Sequence, residues 1–422
     1  MIASSTTAAT APRRGRLLAT LFAAQVCGST GHSIGMAVGG ISAAAITGTN
    51  TWVGVPVAVG ALGAALAAWP LSRFMGRYGR RPGLAIGYGL AVVGAGLGAV
   101  GVITSSFVLL LIGMTLFGIS NTSNLLARYA AADVTRAAHR GRAMGLIVWG
   151  STLGSILGPN LMTPVVSVGA LIGLSPVGSA FLISIGSYAL AAVLVQLLLR
   201  PDPLQIASLF EERATAERPA RPPRPLREIL AEPRVRIAVG TLMSGQLVMI
   251  GTTSTSPVYL HDQGHSVGTI GLAVAMHLGG MYVASPLSGW LSDRFGRLMM
   301  IGVGAFVLVL AVAVAGLVPG SDSGLVMLAL ALNGVGWNLA FVAGSALLTD
   351  ALSPAERTST QGIADLSMGL MGAFGSAAGG MVLGNWGFGM LNALGAAIVV
   401  GTLTVMLLGR APATGAVPQV RA

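Results

Sequence analysis

Twelve long, mostly apolar stretches separated by short polar loops constrain this chain more than any other feature. They run approximately over 17–47, 51–74, 82–104, 106–128, 143–168, 175–199, 237–260, 267–291, 298–318, 324–348, 359–383 and 387–409. About 20 apolar residues suffice for a helix to cross the hydrocarbon of a bilayer. Backbone polar groups in lipid must be satisfied within the segment, so each stretch reads as a helix. Of the 422 residues, 54% are hydrophobic and only 9% are charged, against about 25% charged in soluble domains. The first stretch is too long for the core of a signal peptide and lacks a convincing cleavage site, so it reads as a span. A single Cys27 excludes an internal disulfide.

Charge gives the orientation. All 24 basic residues are arginine, and they cluster in the tails and in alternate loops: Arg13–Arg16, Arg73–Arg81, Arg128–Arg142, Arg200–Arg236, Arg294 with Arg297, Arg357, and Arg410 with Arg421. Twelve spans put both termini on the same side, and every arginine reads as lying there. The positive-inside rule makes that side cytoplasmic, which implies a multi-pass protein of the inner (plasma) membrane. The net charge of +11 is therefore a topology signal and not a mark of nucleic-acid binding. The chain divides into a cytoplasmic tail (1–16), a six-helix bundle (17–199), a cytoplasmic linker (200–236), a second six-helix bundle (237–409) and a second tail (410–422). The linker is rich in Pro and mixed charge, which favours an exposed tether with one short surface helix.

A short motif is written twice, 217 residues apart: Gly76-Arg77-Tyr78-Gly79-Arg80-Arg81 and Asp293-Arg294-Phe295-Gly296-Arg297. The same offset relates Asn121 to Asn338, Asp133 to Asp350, Arg140 to Arg357, Gly145 to Gly362 and Gly158 to Gly375. The two bundles are thus homologous. Parallel six-helix repeats about an axis normal to the membrane are one plan for secondary transporters, with the solute site at the midplane between halves.

These residues resemble the major facilitator superfamily over nearly the whole chain. Gly289-Trp290-Leu291-Ser292-Asp293-Arg294-Phe295-Gly296-Arg297 is similar to that family's signature loop between the second and third helices of a half. The resemblance implies an all-α integral membrane protein of twelve transmembrane helices in two pseudo-symmetric six-helix bundles, working by rocking of the halves. It also implies a cytoplasmic gate in which Asp293, Arg294 and Arg297 contact neighbouring helix ends. In the first half Gly76 stands at the Asp position, so Arg77, Arg80 and Arg81 remain without their acid. The stretch Gly150-Ser151-Thr152-Leu153-Gly154-Ser155-Ile156-Leu157-Gly158-Pro159 is similar to a motif of the family's drug/proton antiporters. Physically, Gly150, Gly154 and Gly158 form a smooth ridge for helix packing, and Pro159 can kink the helix. Met114 stands where those antiporters carry an Arg in span four, a departure from their pattern.

Ionisable groups within spans are costly and default to functional hypotheses. Asp365 is the one carboxylate that falls inside a span, and it reads as a proton-coupling or cation-binding group, or as a packed carboxylate hydrogen-bonded to Gln361 or to a neighbouring helix. His32 and His277 are further proton-relay candidates. Asn121 and Asn338 are symmetry mates on helices that, in the family, line the central cavity. Trp149, Trp337 and Gln246 complete the candidate cavity set. No span offers a midplane arginine, with Arg128 read at a helix end, which disfavours strongly anionic solutes.

Other chemistries lack support. The chain has no lysine and so no phosphate-binding loop with Lys, no zinc-spaced His/Cys cluster, and no soluble domain large enough for an ATPase. It reads as a non-enzymatic secondary transporter without cofactor or metal. The expected partners are the bilayer, a small neutral or weakly charged organic solute, and protons, with the chain acting as a monomer. Proton-coupled efflux of a drug or metabolite is the favoured reading. Proton-coupled nutrient uptake, or a non-transporting sensor on the same fold, are the alternatives.

Overall fold

The computed structural model describes residues 5–49, 52–171, 175–214 and 224–408. Among the described residues it is helical throughout. Helices occupy all twelve expected positions. The first half comprises α1 (Ser5–Thr47), α2 (Val55–Tyr78), α3 (Arg80–Ile103), α4 (Phe107–Asp133), α5 (Arg140–Leu171) and α6 (Pro176–Leu198). The linker holds α7 (Pro203–Ala214) and α8 (Leu226–Ala231). The second half comprises α9 (Pro233–Asp262), α10 (Val267–Tyr282), α11 (Ser285–Phe295), α12 (Arg297–Leu317), α13 (Ser323–Asp350) and α14 (Pro354–Leu408).

Two differences from the expected spans have local causes. The eighth span is interrupted after Tyr282, and Pro286 then opens α11 within its first turn. The last two spans form one 55-residue helical path broken at Gly387, whose φ of +81° is left-handed. Nine helical stretches among the described residues are long and apolar enough to cross a membrane, including Gly268–Phe295 and Pro354–Val405. The helices α1 and α5, which carry a polar inward face, are not in that set.

The repeat is visible in the turns. Gly79 (φ +107°) joins α2 to α3, and its mate Gly296 (φ +96°) joins α11 to α12. Only glycine enters this region freely, which explains why this position of the motif is the same in both copies. Within the halves α3 packs on α4, and α12 on α13. Between the halves the main contacts are α2 with α14 and α5 with α11, pairs that the same offset interchanges.

Lipid supplies no hydrophobic drive between helices, so close packing and polar contacts hold them together. Gly154 illustrates the first. A Cβ there would lie 2.5 Å from the Val26 carbonyl of α1 and 2.5 Å from the Ser29 Cβ. Gly150 and Gly158 continue this ridge along α1, meeting Gln25 and Ser33; the side chain of Pro159 lies outside the described residues. We expect Gly154→Val to force the two helices apart and lower stability by about 1–3 kcal/mol. Thermal unfolding in detergent would show it, and an unchanged transition would contradict this packing.

Among its described residues the linker carries two helices where one was expected, and its two ends are bonded to the bundles. Asp202 accepts from the backbone N–H groups of Arg80 and Arg81 at the start of α3, a favourable place for a carboxylate. Arg224 donates to both oxygens of Glu356 on α14 and to Glu232. Those hydrogen bonds, Glu356 first, raise the Arg224 pKa above its ordinary value.

Candidate functional site

The two halves meet at the end that carries the basic loops, and they meet through charge. Asp133, at the end of α4, accepts from Arg80 Nε at 2.9 Å and from Arg357 Nη1 at 3.2 Å. Its mate Asp350, at the end of α13, accepts from Arg297 Nε at 3.1 Å and from Arg140 Nη1 at 2.6 Å. The offset of 217 carries each member of the first triad onto the second. In each triad one arginine comes from the other half, so the pair of triads bolts the halves together. Their environments differ. Asp133 and Arg80 are 0% exposed, whereas Asp350 is 24% exposed.

Asp293 adds a third tie. It accepts from the backbone N–H of Gly141 and Arg142 at the start of α5, both at 2.9 Å, and from Arg297 Nη1 at 2.5 Å. A carboxylate on helix N–H groups is favoured by the helix dipole. At the mate position Gly76 lies against the Thr358 hydroxyl, and a Cβ there would collide with it. Ser72 instead donates to the Thr358 carbonyl. The first-half tie is therefore a close neutral contact in place of an ionic one. Arg77 and Arg294 lie exposed, with Arg77 against the Tyr78 ring. Arg81 contributes its backbone N–H to Asp202.

Above the triads, one to two helical turns further into the bundle, lies a cavity of about 100 Å³ between the halves. Its base is formed by Arg128, which the sequence placed at a helix end on the basic side. The structure corrects that. Arg128 sits in the interior with its side chain 1% exposed and pairs with Asp365 at 2.6 Å. All five guanidinium N–H groups are engaged. Nε donates to Ser345, Nη1 to the Leu125 carbonyl and Asp365, and Nη2 to Asp365 and Tyr129. The guanidinium is also flanked by the rings of Tyr129 and Phe341, 4.2 and 4.4 Å from their centroids. Arg128 belongs to α4, whereas Asp365, Ser345 and Phe341 belong to the second half. Ser345 is the repeat mate of Arg128, so their contact lies close to the pseudo-twofold axis.

The cavity walls differ between halves. The first half contributes polar groups: Gln25, Ser29 and Ser33 from α1, Ser151 and Ser155 from α5, and Asn121 and Asn124 from α4. The second half contributes the aromatic side chains Tyr282, Trp337 and Phe341. Behind the polar wall, Tyr88 donates to Asn124 at 2.9 Å and Ser120 to Tyr188 at 2.8 Å.

The sequence candidates divide accordingly. Asp365, His32, Asn121 and Trp337 are brought together at or beside the cavity. His32 lies on its wall, stacked on Phe117. Gln246 stands behind Trp337 and accepts its indole N–H at 2.9 Å. The others lie elsewhere. Asn338 is 0% exposed and donates to the Met281 carbonyl and Ser285, joining α13 to α10 and α11. His277 donates from Nδ1 to the Leu330 carbonyl at 3.0 Å, with Nε2 beside Thr253. Trp149 stacks on Phe22. Gln361 bonds Arg80 and Thr349, and Asp365 bonds not to Gln361 but to a neighbouring helix, α4, through Arg128 and Tyr129. Sequence reasoning missed Arg128, Gln25 and other lining residues, among them Ser29, Asn124, Tyr282 and Phe341. Helical spacing was the available signal for Gln25, since Gln25, Ser29 and Ser33 fall four apart on one face.

Known proteins share this architecture. The family model described as Major Facilitator Superfamily matches residues 21–268 and 247–421. An uncharacterized MFS-type transporter of Bacillus subtilis (strain 168), YdeG, is 34% identical over 399 residues, covering 93% of this chain and 90% of that protein. The riboflavin transporter RfnT of Brucella anthropi is 28% identical over 409 residues, covering 96% of this chain and 98% of that protein. Among solved structures, the human organic anion transporter MFSD10 (TETRAN) superposes with a TM-score of 0.71 at 16% identity, covering 93% of this chain and 99% of that one; this likeness concerns the fold alone. With a family model matched along both halves and a relative above 30% identity across 93% of this chain, the chain belongs to the Major Facilitator Superfamily.

Proposed function

We propose that this chain is a proton-coupled secondary transporter that exports a small, neutral or weakly charged organic solute by alternating access, with Asp365 as the coupling group. The observation that supports this most is the Arg128–Asp365 pair. It spans the two halves, lies at the base of the cavity, and is buried. Protonating Asp365 would leave Arg128 buried without its counter-charge, a costly arrangement. Separation of the halves at the basic end relieves that cost, so a proton taken up from the cavity favours opening toward the basic side. Under the positive-inside rule that side is the cytoplasm.

The pair also bears on the solute. Arg128 has no donor left over, and its charge is cancelled by Asp365, so the cavity offers no free cation to an anionic solute. A relative named as a riboflavin transporter is in keeping with an uncharged organic solute. The likeness of the α5 glycine ridge to an antiporter motif supports export.

Transport by protein reconstituted in liposomes tests this, with riboflavin as the first labelled solute and neutral drugs after it. Solute is expected to accumulate in vesicles whose lumen is the more acidic side, and Asp365→Asn is expected to abolish accumulation while leaving solute exchange at equal pH. Accumulation into an alkaline lumen would reverse the direction to uptake. Accumulation by Asp365→Asn at the wild-type level would end the claim of coupling through Asp365.

A further inference from the structure

We infer that Gln25 is a specificity-determining residue whose Oε1 accepts a hydrogen bond from an N–H or O–H group on an uncharged aromatic solute. This rests on the transporter reading above and names the class of solute the cavity takes.

Three observations carry it. First, Gln25 is 3% exposed and lies on the cavity wall. Its Nε2 donates to Ser151 at 2.8 Å, yet its Oε1 is buried without a partner. Buried acceptors are nearly always paired, and an orphan calls for an explanation such as a ligand. Second, the amide is held in place. Gly150 has no side chain to displace it, and a Cβ there would lie 3.1 Å from Gln25 Cγ; the bond from Nε2 to Ser151 then anchors the amide group against α5. The orphan oxygen is therefore a positioned acceptor. Third, the facing wall is aromatic. Trp337 and Phe341 stack on each other, 4.5 Å apart with an interplanar angle of 13°, and the bond from Trp337 Nε1 to Gln246 keeps the indole in that plane. Flat rings pack well against such a surface.

A solute that joins both walls needs a polar edge with a donor and an aromatic face. It needs no charge, because the Arg128–Asp365 pair neutralises itself. Each half would then hold one part of the solute, the first half its polar edge and the second half its ring.

The test uses the purified full chain in detergent, without any gradient, and three matched probes: indole, 1-methylindole and indole-3-carboxylate. Methylation removes the donor and keeps the ring, and the carboxylate adds charge. Wild type is expected to bind indole about tenfold more tightly than 1-methylindole, the size of one good neutral hydrogen bond, and to bind the carboxylate least. Gln25→Leu is expected to bring the indole to 1-methylindole ratio close to one. The probe comparison in wild type stands without the variant, so a poorly folding Gln25→Leu does not spare the inference. Equal binding of indole and 1-methylindole by wild type, preference for the carboxylate, or no binding of any probe would each overturn it. The transporter reading fails separately, by loss of gradient-driven accumulation in wild type whatever these ratios are.

Discussion

Asp133→Ala is expected to destabilise the protein by about 3–5 kcal/mol, the cost of stripping one partner from a buried ion pair. Its symmetry mate Asp350→Ala is expected to cost about 0–1 kcal/mol, as exposed pairs do. The two residues occupy equivalent places and hold equivalent arginines. What differs is water. Asp133 and Arg80 are 0% exposed and Arg357 is 7% exposed, whereas Asp350 is 24% exposed and both its arginines are 11% exposed. Losing Asp133 leaves two arginines desolvated. Losing Asp350 leaves Arg297 with Asp293 still at hand. Chemical denaturation of the two variants in the same detergent compares them directly. Equal losses would show that burial does not set the strength of these latches.

The Arg128–Asp365 pair has the second large effect. Asp365→Ala is expected to cost the closed form about 3–5 kcal/mol, because Arg128 keeps its charge in a site with no other anion. Removing both charges with a double substitution, Arg128→Met and Asp365→Leu, is expected to restore most of that stability, since apolar replacements of buried pairs are often neutral or stabilising. The double-mutant cycle isolates the pairwise term. Proton-driven accumulation should be absent in both variants. A double variant no more stable than Asp365→Ala alone would mean that Arg128 is held by its other partners and that the pair is not the lock between halves.

Much of the fold was legible because membrane spans obey a strong rule of length and apolarity, and because the motif is repeated. The offset of 217 located the turn glycines Gly79 and Gly296 and both triad acids before any geometry was available. The triads themselves were hidden, since the arginine that each acid takes from the other half lies more than 200 residues away. Arg128 was misplaced for a physical reason. It closes an apolar stretch and shares the basic loops' composition, so hydropathy assigns it to the boundary; only the fold reveals that α4 continues past Arg128 to the gate at Asp133. The symmetry of Asn121 and Asn338 held in position and not in environment, because Ser285 and the Met281 carbonyl offer Asn338 partners on its own half. The missing acid at Gly76 could be read from sequence, whereas the Thr358 hydroxyl that occupies its place could not.

The central claim is that the charge on Asp365 holds the basic end closed. Distances between spin labels placed on the exposed positions Arg77 and Arg294, in a Cys27→Ser background, measure that opening. Acidification is expected to lengthen the distance in wild type, and Asp365→Asn is expected to populate the long distance at neutral pH as wild type does in acid. A wild-type distance that does not respond to pH, or an Asp365→Asn variant that stays closed at neutral pH, would contradict it.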